Sequence, residues 1–227
     1  FFTLLKTMKS PVEIPDQLKN LYKNDIYDYE TILKKNHQDI VSSLKGVTSE
    51  SNWIIPGKLM VSANPSYYED EVTATNNVTN LVTKAGITDF ICFHKRLQKQ
   101  RSGYFPLAQK ILGLNSKASQ NLNMIYFPIG DFGVEDNRVV DKFTDRVVDL
   151  LKQKDRVVFM HCTGGNGRSG TIASIVYGKY FGKTADESML YIQMAHDCRD
   201  DVYSHSPETS KQRQQVREVL GGGSIKS

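Results

Sequence analysis

The stretch that decides the fold is RVVFMHCTGGNGRSGTIASIVY, residues 156–177. Four apolar residues, 157–160, are too few for a helix and are typical of a buried strand. Glycines at positions 164, 165 and 167 then predict a tight loop. The small and β-branched residues after position 170 have the length of a helix. The sequence therefore predicts a buried strand, a glycine-rich loop and the start of a helix.

The loop between Cys162 and Arg168 has the composition of an anion-binding site. Inward-pointing backbone N–H groups and the positive end of the next helix bind phosphate, and glycines let the backbone approach it closely. Arg168 carries a planar guanidinium that can bond two phosphate oxygens. These positive groups also favour the thiolate of Cys162, which beneath a bound phosphate is an in-line nucleophile.

Residues 161–170, HCTGGNGRSG, resemble the H-C-x5-R-S/T-G signature of the cysteine-dependent protein tyrosine and dual-specificity phosphatases. The resemblance spans about residues 53–220. It implies catalysis through a phosphocysteine on Cys162, with Ser169 bonding the departing thiolate and His161 orienting the loop. The implied phosphate loop consists of Thr163, Gly164, Gly165, Asn166, Gly167 and Arg168.

Expulsion of an alkoxide or phenoxide needs a proton at neutral pH, so we expect a carboxylic acid above the loop. Asp131 follows a predicted strand in FPIGDFG, residues 127–133, between two glycines. The family resembled carries its general-acid aspartate on a similar loop, and Pro-Ile-Gly-Asp is most similar to the kinase-associated dual-specificity branch. Asp136 is the alternative acid, and a turn-capping role is the alternative for Asp131.

Residues 206–212, SPETSKQ, resemble a segment in which glutamines of tyrosine phosphatases position the hydrolytic water. Gln212 matches one of these glutamines, whereas Glu208 stands where many members have another. The alternative is an ordinary amphipathic helix start. In either case the pattern predicts a helix with Ser206 as its N-cap and Pro207 in the first turn.

Strands alternating with helices predict an α/β fold with a central, mostly parallel sheet flanked by helices, similar to that of protein tyrosine phosphatases. Cys162 follows the carboxyl end of its strand, where open α/β sheets bind ligands. The predicted strands cover 58–63, 87–93, 122–129 and 157–160. The predicted helices cover 67–84, 106–114, 138–153 and 184–198. Two further helices are predicted, one from the glycine-rich loop to residue 181 and one that begins near residue 206.

The composition changes near residue 53. We expect residues 1–52 to form an N-terminal helical extension that packs on the main domain. Residues 53–220 are expected to form the catalytic domain, and the glycine-rich residues 221–227 a flexible tail.

A net charge of +4, without a long Lys/Arg run, does not favour nucleic acid as a partner or an RNA triphosphatase activity. No apolar run approaches the roughly 18 residues of a membrane span. The basic residues 94–96 indicate either a solvated loop or a surface that steers anions. The signature motif indicates that no metal or organic cofactor is needed, because a thiolate, Arg168 and backbone amides supply the chemistry.

Three widely spaced cysteines form neither a disulfide framework nor a zinc pattern. Cys92 and Cys198 are expected to be buried, with redox partnership to Cys162 as the alternative for Cys198. We therefore expect a reducing compartment, the cytoplasm or the nucleus.

The loop residues between Cys162 and Arg168 are uncharged. Family members that act on phosphoinositides tend to carry lysines there. We therefore predict a phosphatase of phosphorylated proteins that acts on phosphotyrosine and also on phosphoserine and phosphothreonine. The alternatives are a phosphoinositide phosphatase and a non-catalytic phosphoprotein-binding module, and the oligomeric state is left open.

Overall fold

The computed structural model describes residues 42–66, 70–95, 103–115, 122–200, 202 and 204–222. The expected helices before residue 42, most of the basic loop and residues 223–227 of the expected tail lie outside this part of the chain. The described strands are β1 Ser51–Ile55, β2 Leu59–Ser62, β3 Asp89–His94, β4 Asn123–Ile129 and β5 Val158–His161. The described helices are α1 Glu71–Thr83, α2 Tyr104–Asn115, α3 Asn137–Lys152, α4 Gly167–Phe181, α5 Ala185–His196 and α6 Ser210–Gly221.

The strands form one sheet in the order β1-β2-β5-β3-β4. Strand β1 is antiparallel to β2, and the other neighbours are parallel. This arrangement confirms the predicted α/β fold with a mostly parallel sheet. The sequence pattern did not predict β1, which ends at the turn before Lys58, and the expected domain boundary at residue 53 falls inside it. Strand β5 lies in the middle of the sheet, so the loop after it is supported on both sides.

Alternating residues of the central strands point to two cores. One face carries Met60, Phe90 and Phe159, which pack against α1 and α2. The other face carries Val61, Ile91 and Met160 and is covered by α3, α4, α5 and α6. Leu44, ahead of β1, is fully buried in this second core. The sheet is thus covered by helices on both faces, which is typical of parallel sheets.

Helix α6 begins later than the sequence pattern predicts. Its N-cap is Thr209, whose hydroxyl accepts a hydrogen bond from the backbone of Gln212 while the Gln212 side chain bonds back to Thr209 in a capping box. The prediction of Ser206 as the N-cap and Pro207 in the first turn is therefore wrong. Ser206 donates its hydroxyl instead to the backbone carbonyl of Asn166, 3.0 Å away.

Helix α3 turns an apolar stripe towards the core, with Val140, Phe143, Val147 and Leu151 buried. Val139 lies outside this stripe and is 51% exposed. In the described residues, none of the helices is both long and apolar enough to cross a membrane.

Candidate active site

The glycine-rich loop leaves the carboxyl end of β5 and enters α4 at Gly167. Cys162 is 3% exposed, and the N–H of Gly165 points at its sulfur, 3.2 Å away. Gly165 has a φ of +74°, and a Cβ there would lie 2.3 Å from the carbonyl carbon of Ser62 on β2. A side chain at this position would therefore push the loop away from the sheet.

Arg168 lies beside the cysteine at the first turn of α4 and is 5% exposed. Its guanidinium donates to the backbone carbonyl of Ile129 at 3.3 Å and to the hydroxyl of Thr163 at 2.8 Å. It also forms an ion pair with Asp131, with 2.7 Å between Nη2 and Oδ1. These three contacts hold the guanidinium of Arg168 beside Cys162, where it can bond an anion in the loop.

One cavity of about 170 Å³ brings most of the predicted residues together. Its wall contains the predicted residues Asp131, Cys162, Thr163, Gly164, Asn166, Gly167, Arg168 and Gln212. It also contains Phe132, which the sequence analysis did not single out, and Glu208, which it noted only as a departure from the family. Asp136, the alternative acid, is the N-cap of α3 and accepts hydrogen bonds from the backbone of Arg138 and Val139.

His161 is fully buried behind the loop. Its Nδ1 lies 3.0 Å from the carbonyl oxygen of Cys162, and its Nε2 lies 2.6 Å from the hydroxyl of Tyr104 on α2. A carbonyl only accepts, so Nδ1 carries the proton and Nε2 accepts from Tyr104. Burial lowers the pKa of His161 to about 4 and keeps the ring neutral at neutral pH. This geometry suits an orienting residue, and Tyr104 is a partner that sequence reasoning missed.

Arg199, after α5, is a second residue that sequence reasoning missed. It is 2% exposed and donates to the carbonyls of Gly164, at 3.4 Å, and Gly165, at 3.2 Å. It also donates to the side chains of Asn166 and Asn52. Because these two carbonyls are held outward, the neighbouring N–H groups are free to face the anion site. Burial lowers the pKa of Arg199 to about 10, which leaves the guanidinium charged at neutral pH.

A buried polar cluster continues from Arg199 along α5. The Nε2 of His196 lies 2.9 Å from Oδ1 of Asn166, and its Nδ1 lies 3.4 Å from Oδ1 of Asp197. Gln193 donates to the same Asp197 oxygen and accepts from the backbone N–H of Ser206. Burial lowers the pKa of His196 to about 4. The phosphate loop is therefore supported from behind by side chains that are distant in sequence.

Ser169 is fully buried, and its hydroxyl has no hydrogen-bond partner within the described part of the chain. An unpaired buried hydroxyl costs about 1–3 kcal/mol, and such groups often serve a functional purpose. The two other cysteines are buried and reduced. Burial raises the pKa of Cys92 to about 11 and that of Cys198 to about 12, so both thiols stay protonated at neutral pH.

The loop that carries Asp131 is attached to α6 by two glutamine side chains. Gln212 donates to the carbonyl of Gly133 at 3.3 Å, and Gln215 donates to the carbonyl of Glu135. Both glutamines are buried, whereas the side chain of Asp131 is 65% exposed. This loop, called the acid loop below, is thus anchored at Gly133 and Glu135, while the carboxylate of Asp131 is exposed to solvent.

Comparison with known families identifies this arrangement. The family described as PTP-SAK, Swiss Army Knife protein, DSP-PTPase phosphatase domain, matches residues 48–219. The chain belongs to this family. It therefore has a phosphatase domain of the dual-specificity type. No curated protein is significantly similar to the chain in sequence.

Solved structures of two phosphatases and one phosphatase-like protein share the fold. Kinase associated phosphatase (KAP), with its catalytic cysteine replaced by serine, is 18% identical, with a TM-score of 0.52 over 72% of this chain and 85% of KAP. The human tyrosine phosphatase-like serine/threonine/tyrosine-interacting protein is 18% identical, with a TM-score of 0.52 over 76% of this chain and 97% of that protein. PTPMT1 in complex with PI(5)P is 13% identical, with a TM-score of 0.51 over 73% of this chain and 92% of PTPMT1. At sequence identities this low, the comparisons show that the fold is similar and show nothing further.

Proposed function

We propose that this protein hydrolyses phosphotyrosine, and also phosphoserine and phosphothreonine, in phosphorylated proteins through a phosphocysteine intermediate. The observation that carries the proposal is the meeting of Cys162, Arg168 and Asp131 around one cavity at the carboxyl end of β5. A nucleophile, an anion-binding fork and a proton donor are the three groups that phosphate-ester cleavage by a thiolate needs.

In the first step the thiolate of Cys162 attacks phosphorus while the loop N–H groups and Arg168 bind the phosphate oxygens. The P–O bond to the leaving group breaks, and Asp131 donates a proton to the departing oxygen. Because Asp131 lies 2.7 Å from Arg168 before substrate binds, its carboxyl must turn from the guanidinium towards the leaving group. The exposure of its side chain allows both this motion and proton uptake from water.

In the second step water attacks the phosphocysteine and the sulfur leaves as a thiolate. We assign Ser169 the role of bonding this thiolate, because its buried hydroxyl is otherwise unpaired. His161 is assigned an orienting role, since it is neutral and its bonds to Cys162 and Tyr104 are both structural. No step in this scheme requires a metal ion.

Two features of the cavity mouth favour a protein substrate. Phe132 is 59% exposed beside Asp131, where its ring can pack on the ring of a phosphotyrosine. The carboxylates of Asp131 and Glu208 face the same cavity, and carboxylates repel additional phosphate groups. A phosphoinositide with several phosphates therefore fits this mouth less well than a phosphopeptide.

A non-catalytic phosphoprotein-binding module is the competing assignment. Such a module would bind phosphopeptides with the same loop and would not need a nucleophile or an acid. This chain retains Cys162, Arg168 and Asp131 at one site, which favours catalysis.

The deciding experiment measures phosphate release from a phosphotyrosine peptide, a phosphothreonine peptide and a phosphoinositide with several phosphates under reducing conditions, with Cys162→Ser as the blank. We expect release from the peptides, little from the lipid and none by the variant. Preference for the lipid would overturn the substrate assignment. Tight phosphopeptide binding without release would assign the chain as a binding module.

The role of Asp131 is tested by Asp131→Ala on two substrates. We expect kcat to fall by about 10²- to 10⁴-fold on the phosphotyrosine peptide, because its leaving group needs the proton. An activated aryl phosphate should lose much less, because its leaving group departs without help. Equal losses on both substrates would show that Asp131 is not the general acid, and Asp136→Ala serves as the matched control on the same loop.

A further inference from the structure

Glu208 places a second carboxylate at the candidate site. It lines the cavity with Cys162 and Asp131, and its Oε2 lies 3.0 Å from the position that a Cβ on Gly167 would take. Within the described part of the chain its carboxylate oxygens form no hydrogen bond or ion pair. An unpaired carboxylate that faces a nucleophile is available to accept a proton.

Gln212 has no free acceptor with which to take a proton from water. Its Oε1 accepts from the backbone N–H of Glu208 at 3.1 Å and of Thr209 at 2.9 Å, which uses both lone pairs. Its Nε2 donates to the carbonyl of Gly133. Gln212 therefore caps α6 and anchors the loop of Asp131, and its second Nε2 hydrogen can donate to a water molecule but cannot accept a proton from it.

The contacts of the two carboxylates also differ. The carboxylate of Asp131 forms an ion pair with Arg168, 2.7 Å away, whereas the Glu208 carboxylate has no such contact within the described residues. Burial and the neighbouring Asp131 carboxylate raise the pKa of Glu208, and Arg168 opposes this only in part. A carboxylate with a raised pKa is a stronger base near neutral pH.

We propose that Glu208 is the general base of the second step, acting on the phosphocysteine that the proposed function assumes. The oxygen of water forms a bond to phosphorus, and the P–S bond breaks with its electron pair returning to the sulfur of Cys162. The proton of the water passes to the Glu208 carboxylate, and inorganic phosphate leaves. Asp131 then serves the first step and Glu208 the second.

The test is Glu208→Gln, which keeps the size and hydrogen bonding of the side chain but cannot take the proton. With p-nitrophenyl phosphate in a rapid-mixing experiment, we expect the nitrophenol burst to stay within about 3-fold of wild type. Steady-state turnover should fall by about 10²-fold, in the range of general-base catalysis. Phosphorylated protein, trapped by acid quench and weighed by mass spectrometry, should accumulate in the variant.

The control is Glu71→Gln, an exposed glutamate in the first turn of α1, which should behave as wild type. Wild-type turnover in Glu208→Gln, or equal losses of burst and steady state, would overturn the proposal. That result differs from failure of the proposed function, in which Cys162→Ser remains active and no protein carries phosphate on Cys162. Thermal unfolding of each variant confirms that it is folded.

Discussion

The two loops over the candidate site are held in opposite ways. The phosphate loop rests on buried side chains from α5 and the segments that flank it, and Arg199 bonds two of its carbonyls. The loop of Asp131 exposes the side chains of Asp131 and Phe132 to solvent. It is anchored through backbone carbonyls that accept from Gln212 and Gln215 and through the ion pair of Asp131 with Arg168. An anion site gains from being preorganised, because no reorganisation is then needed during the reaction. A general acid must turn towards its leaving group and exchange its proton with water.

The largest loss of activity is expected when Arg199, which supports the phosphate loop, is replaced. We expect Arg199→Met to lower kcat/KM by about 10²-fold, since a displacement of about 1 Å at the anion site has effects of this size. Activated and poor leaving groups should lose equally, in contrast to Asp131→Ala. Steady-state kinetics on the phosphotyrosine peptide and p-nitrophenyl phosphate check this.

Arg199→Met also leaves buried oxygen acceptors without a donor, which lowers the free energy of unfolding by about 1–3 kcal/mol for each. Arg199→Lys therefore accompanies it, because lysine keeps the charge and should recover part of the stability and activity. Arg217→Met, on the exposed face of α6, is the matched control. If Arg199→Met lost rate only on poor leaving groups, the proposed difference between the loops would be wrong.

Two buried histidines next to the phosphate loop should make the free energy of unfolding sensitive to acid. His161 and His196 have pKa values of about 4, below the ordinary 6.5. Above pH 6.5 neither state of the protein binds the proton. As the pH falls from 6.5 to about 4, the unfolded chain takes up protons that the folded chain excludes. The free energy of unfolding therefore falls by up to about 1.4 kcal/mol per pH unit for each histidine.

Urea unfolding at several pH values between 7.5 and 4.5 measures this slope. His196→Gln should make the slope shallower, because it removes a buried ring that Arg199, Asp197 and His205 surround and whose protonation the fold disfavours. An unchanged slope in His196→Gln would show that the buried ring is not the source of the acid sensitivity.

The smallest effect is expected on the acid-loop side, at Gln215. Gln215→Ala removes donors to the carbonyl of Glu135 and to the side chain of Asn137. We expect a loss of about 1–2 kcal/mol in the free energy of unfolding. The kcat on the phosphotyrosine peptide should fall by about 3- to 10-fold, because the acid is less well positioned.

An activated aryl phosphate should be hydrolysed by Gln215→Ala at nearly the wild-type rate. Gln214→Ala, which removes a bond to Glu218 on the exposed face of α6, is the control. A loss on both substrates would indicate that α6 supports the phosphate loop as well, and the contrast between the loops would be weaker.

The sequence by itself determined the parts of the molecule that are local. The apolar run before Cys162, the glycines after it and the spacing to Arg168 predicted a strand, a loop and a helix, because these patterns depend on backbone geometry over a few residues. The alternation of strands and helices predicted the mostly parallel sheet. Asp131 was singled out because of its loop.

Only the tertiary structure decided which distant residues complete the site. Tyr104 bonds His161 from another helix, and Arg199 reaches the loop from beyond α5. Neither lies in a pattern of its own, because a buried tyrosine or arginine is recognisable only by the partners that its burial requires. The start of α6 was misplaced because Ser206 and Thr209 are both good N-caps. The contact of Ser206 with Asn166 left Thr209 to cap the helix, and that contact joins segments far apart in the chain.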